Sequence, residues 1–65
     1  MNWTDIQVTT TQPMVGPWRR VVLRACKVGS VNLWQVAVLY EGDLEEETKE
    51  FTGFIPANDY YEEVR

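Results

Sequence analysis

Apolar and polar positions alternate through the middle of the chain. From Trp18 to Val28, Val21, Leu23 and Ala25 fall on one side of an extended segment, and Trp18, Arg20, Val22, Arg24 and Cys26 on the other. Val31 to Glu41 is apolar on both sides, with Trp34, Val36, Val38 and Tyr40 against Leu33, Ala37 and Leu39, as in a strand covered on both faces. Gly29-Ser30 between them suits a two-residue hairpin with positive φ at the glycine. That turn pairs Val28 with Val31, Ala25 with Trp34, Leu23 with Val36 and Val21 with Val38. A slip of one residue would break every apolar match, so this register is well specified.

The flanking segments carry weaker patterns. Asp5 to Thr11 alternates Ile6 and Val8 with polar neighbours and reads as an edge strand, stopped by Pro13. Gln12 to Pro17 is a connecting loop with two prolines and a glycine. Glu46 to Ile55 is a third extended candidate, although Glu and Lys are poor strand formers and Gly53 interrupts it. A two-residue turn at Gly42-Asp43 would set Phe51 opposite Trp34, but also Glu47 opposite Val38 and Lys49 opposite Val36. Either the loop is longer or the strand tip runs beyond the core. After Pro56, Asn58 or Asp59 can cap a short helix through Val64, docking by Tyr60 or Tyr61 and Val64. The expected fold is mainly β (small α+β): one domain over residues 1–65, an antiparallel sheet of three to four strands with a short C-terminal helix. Closure into a small SH3-like barrel is a further option.

Composition narrows the chemistry. A chain of 65 residues buries only about 60% of its unfolded surface. It contains no histidine and one cysteine, Cys26, so the commonest general base is missing and no intramolecular disulfide can form. Cys26, in an apolar stretch without an imidazole to activate it, reads as a packed thiol. The glycines are scattered rather than gathered into a phosphate loop, and no metal or cofactor is expected. A carboxylate pair drawn from Glu41, Asp43 and Glu45 to Glu47 lacks a chain large enough to wall off a cleft, so we expect no enzyme. Residues 1–5 lack the basic and apolar runs of a leader, and the longest apolar run, Val36 to Tyr40, is far short of a membrane span. These features point to the cytoplasm, with no membrane partner.

Charge is unevenly distributed. Residues 1–40 carry Arg19, Arg20, Arg24 and Lys27 against Asp5, a balance of +3. Residues 41–65 carry Glu41, Asp43, Glu45, Glu46, Glu47, Glu50, Asp59, Glu62 and Glu63 against Lys49 and Arg65, a balance of −7 that leaves −4 overall. Arg20 and Arg24 could simply face Glu46 and Glu50 across the central strand, in exposed pairs worth about 0–1 kcal/mol each. Yet so many carboxylates close together repel one another, and stability alone gives no reason to gather them. Acids at alternate positions of a strand stand about 7 Å apart, a row of anions comparable with a line of phosphates. Such a surface fits the basic groove of a nucleic-acid-binding protein, with Tyr40, Phe51, Phe54, Tyr60 and Tyr61 beside it as aromatic anchors, although Phe51 and Phe54 read better as core.

With its size, its acidity and the segments Glu41-Gly-Asp-Leu-Glu-Glu-Glu47 and Asp59-Tyr-Tyr-Glu-Glu63, the chain resembles the anti-CRISPR proteins of the DNA-mimic kind that phages encode. The resemblance implies a non-enzymatic inhibitor that binds a Cas effector in the host cytoplasm and blocks its DNA path. The partner-binding residues would be Glu41, Asp43, Glu45, Glu46, Glu47, Glu50, Asp59, Tyr60, Tyr61, Glu62 and Glu63. The basic strand is a departure, since a pure DNA mimic has no need of it. Two other readings stand beside this one. An interaction module, such as a phage assembly component, would bind through an aromatic patch of Trp18, Tyr40 and Tyr61. Direct nucleic-acid binding through Trp18, Arg19, Arg20, Arg24 and Lys27 is opposed by the net charge. An exposed edge strand in so small a sheet also allows a weak homodimer.

Overall fold

The computed structural model describes residues 2–41 and 44–65, the side chains of 44–46 apart. Four strands, β1 (Thr4–Thr11), β2 (Arg19–Val28), β3 (Val31–Tyr40) and β4 (Leu44–Phe51), precede one helix, α1 (Phe54–Val64). The strands form one antiparallel sheet in the order β1-β2-β3-β4. β1 and β4 are its two edges, so the sheet is open and the barrel closure is not formed.

The central hairpin follows the apolar pattern. Val28 pairs with Val31, Ala25 with Trp34, Leu23 with Val36 and Val21 with Val38, and Gly29 supplies the turn with a φ of 63°. One face of this hairpin, with Val21, Leu23, Val36 and Val38, meets Ala57 and Tyr61 of α1 in the core. Trp34, Tyr40, Phe51, Tyr60 and Val64 pack around it. Tyr61 also reaches the far edge, where its hydroxyl shares a hydrogen bond with the Thr9 hydroxyl of β1.

α1 begins at Phe54, earlier than a cap at Asn58 or Asp59 would give, and Gly53 occupies the N-cap position without a side-chain bond. Pro56 lies in the first turn, where its missing N–H costs nothing, so the proline belongs to the helix rather than preceding it. A Cβ at position 53 would stand 3.3 Å from the Pro56 ring, so glycine leaves that ring its space. The chain measures 44 × 23 × 16 Å, a long thin slab. No helix among the described residues is long and apolar enough to cross a membrane.

Candidate interaction surface

The β3–β4 hairpin combines the two options left by its sequence. Trp34 pairs with Phe51, Val36 with Lys49 and Val38 with Glu47, but beyond Val38 the register shifts, and Leu39 meets Glu45 and Tyr40 meets Leu44. Glu46 is thus the extra residue of a bulge, and the connection runs from Glu41 to residue 43. Parity then decides where the carboxylates go. Glu47 lies opposite Val38, on the helix-covered side, whereas Glu50 lies opposite Gln35, on the open side. The expected single row of alternate acids on β4 is therefore not formed between these two. Asp43 and the side chains of Glu45 and Glu46 lie outside the described residues.

A compact group forms where β4 meets α1. The Tyr60 hydroxyl donates a 2.8 Å hydrogen bond to Glu47 Oε1. Lys49 Nζ sits 4.7 Å from the Tyr60 ring centroid and 5.7 Å from that of Phe51, and the two rings are 5.6 Å apart. The bond to Glu47 chiefly raises the Tyr60 phenol above its ordinary pKa, followed by desolvation and the negative charges of Glu47 and Glu63. Asp59, Glu62 and Glu63 are exposed along the helix, with Glu62 Oε2 2.7 Å from Arg65 Nε. Glu41 is exposed at the end of β3, its N–H donating to the Trp18 carbonyl at 3.2 Å. Tyr61 must be withdrawn from the surface. It is only 3% exposed, because its position on α1 points it at Val21 and Leu23.

Among the described residues no helix covers the other face of the sheet, and the bases divide around it. Arg20 and Arg24 share this open side, while Arg19 and Lys27 have the parity of Val21, so the four do not make one basic platform. Arg20 stacks over Trp18 at 4.6 Å and donates through Nε to Thr10 Oγ1 at 3.1 Å. Arg24 lies over Trp3 at 5.9 Å and donates through Nε to Gln35 Oε1 at 3.0 Å. Gln35 in turn donates to Glu50 Oε2 at 3.3 Å, which ties β2, β3 and β4 in one row. Arg24 thus faces Glu50 as expected, with Gln35 between them, but the bulge sets Glu45 rather than Glu46 in the row of Arg20. The patch of Trp18, Tyr40 and Tyr61 does not assemble either, since Trp18 stacks under an open-side arginine while Tyr40 and Tyr61 pack in the helix-side core.

Trp3 and Gln35 were not expected to matter. Trp3 lies before the first alternating segment, so periodicity gave no sign of it; the position of Gln35 opposite Arg24 was implicit in the hairpin register. Compared with known protein families, characterised proteins and solved structures, the chain matches none.

Proposed function

We propose that this chain is a non-enzymatic inhibitor that binds through its acidic end. In this reading Glu41, Asp43 and Glu45 to Glu47, with Asp59, Tyr60, Glu62 and Glu63 on the adjoining helix, enter the basic nucleic-acid-binding site of a partner. A Cas effector is the partner that the likeness to anti-CRISPR DNA mimics suggests. The observation that carries the reading is a cancellation. Outside residues 41–46 the chain has six bases and six acids, so its whole net charge of −4 belongs to one hairpin segment. That segment follows β3 and runs into the first residues of β4. Charge concentrated in one short segment steers association with a cationic groove, and carboxylates bond well to arginine and lysine once there. Lys49, the base nearest in sequence, is drawn onto the rings of Phe51 and Tyr60.

The test compares immobilised wild type with the reversal Glu45→Lys, Glu46→Lys, Glu47→Lys as ligands for host nucleic-acid-binding proteins at low and high salt. The expected result is salt-sensitive retention by wild type, competition by duplex DNA and loss in the reversal. Retention that survives the reversal and high salt but disappears in Trp18→Ala would replace this reading with an aromatic binding module.

A further inference from the structure

The two edges of the sheet differ in how they treat a second copy. β4 carries Glu45, Glu46, Glu47 and Glu50 with one lysine in eight residues, so pairing it with itself would bring carboxylates together. β1, Thr-Asp-Ile-Gln-Val-Thr-Thr-Thr, has one charge, at Asp5. Seven of its eight residues are exposed, Thr9 being half-buried, and Ile6 and Val8 are 46% and 50% exposed. Its pairing with β2 shifts register between Asp5 and Gln7, a bulge at Ile6 that leaves Gln7–Thr11 as a regular run. The unprotected edge is therefore the polar, nearly uncharged one.

We infer that this chain self-associates through β1, two copies pairing their β1 edges antiparallel across a two-fold axis to continue the sheet from four strands to eight. Three placements support this occupant over an unrelated peptide. A two-fold axis at Gln7 sets Ile6 of one copy opposite Val8 of the other, so the exposed apolar residues of the two edges meet. Antiparallel pairing also sends the two acidic hairpins to opposite ends, because residues 41–43 follow the row of Thr11, Arg19 and Tyr40. Lastly, Met14 and Val15, 103% and 90% exposed in the loop after β1, are carried towards the end of the second copy where Thr4 pairs with Ala25. Val28 and Val31 are exposed at that end, 43% and 54%. Because the regular run is short, the association is weak and depends on concentration.

Sedimentation velocity from about 5 µM to about 500 µM protein tests this, since mass action fills a weak dimer over such a range. The weight-average mass should climb from 7.6 kDa toward twice that value. Ile6→Lys with Val8→Lys, and separately Ile6→Glu with Val8→Glu, should each stay monomeric, and an equimolar mixture of the two should dimerise. Both positions are half exposed, and a native circular dichroism spectrum confirms that each variant folds. For wild type, exchange protection of the β1 amides should rise several-fold with concentration, a readout that needs no substitution. A constant 7.6 kDa mass overturns the inference, as does a dimer that persists in both variants.

Discussion

The two faces of the sheet are closed by different means. On one, α1 lays Ala57 and Tyr61 over Val21, Leu23, Val36 and Val38, and the cover is a separate element. On the other there is no second layer among the described residues, yet Val22, Cys26 and Ala37 are only 4%, 5% and 0% exposed. There the cover is the sheet's own long side chains. The central row of Val22 and Ala37 is small, and the rows beside it hold Arg20 with Leu39 and Arg24 with Gln35. Each arginine is half-buried and holds its guanidinium over a tryptophan ring, an arrangement in which a long amphipathic side chain can cover apolar surface. A sheet face without a covering helix can thus be shielded by placing small residues at the centre and long amphipathic ones around them.

The largest effect is expected where the separate cover is thickest. Leu23 is fully buried beneath α1, and Leu23→Ala should cost about 3–5 kcal/mol in chemical denaturation. Domains this small rarely hold more than about 3–5 kcal/mol, so the variant should be largely unfolded. The sharpest comparison uses two neighbours of identical chemistry, Val21 under the helix and Val22 under the side-chain roof, 1% and 4% exposed. Val21→Ala should cost about 2–3 kcal/mol, because a helix anchored at several points cannot follow the lost methyls. Val22→Ala should cost about 1 kcal/mol, because flexible arginine stems can collapse into the gap. Equal losses at the two sites would mean that the open face is as rigidly covered as the other.

The roof itself can be tested. Trp18→Ala should destabilise by about 1–2 kcal/mol, the sum of a half-exposed indole's burial and its stack with Arg20. Trp3→Ala should cost less, about 0.5–1 kcal/mol, since its arginine stands farther off and it precedes the edge strand β1. Both losses should persist at high salt if packing dominates. A loss that vanished with salt would make the contact electrostatic instead.

The central hairpin was legible because its apolar pairs all agree with one turn; Gly29-Ser30 fixed the register, and any slip would have exposed Leu23 or Val36. β4 was only half legible. Its pairing from Glu47 to Phe51 follows from a two-residue turn count, but the bulge at Glu46 offsets a connection one residue longer than that, and alternation encodes neither. The start of α1 was misplaced because proline was read as a boundary, although the first turn accepts it. In the candidate site, charge segregation was plain from residue order, while its direction was not. Glu47 and Glu50 are three apart, and an odd separation on a strand sends side chains to opposite faces. Either Tyr60 or Tyr61 was expected to dock the helix, and only the packing decided which one the core would take.

The smallest effect lies where the covered face ends, at Tyr60 and Glu47. The phenol is held above its ordinary pKa, first by its bond to Glu47 and then by desolvation and two negative charges. A raised phenol pKa means that the folded chain keeps this proton longer than the unfolded chain does. The associated stability is complete below the unfolded tyrosine value of about 10 and is lost as pH rises through the folded value. Glu47→Gln keeps an acceptor for the hydroxyl but removes its charge, so the Tyr60 midpoint should move down toward the ordinary value. Phenolate absorbance, with Tyr60→Phe as the blank, reads that midpoint directly. Raising salt should lower it in wild type and leave the Gln variant almost unchanged, because the Glu63 charge alone is then left to screen. A midpoint unmoved by Glu47→Gln would assign the shift to desolvation under the edge of the helix. The border of β4 and α1 would then be an extension of the covered face rather than the beginning of the acidic end.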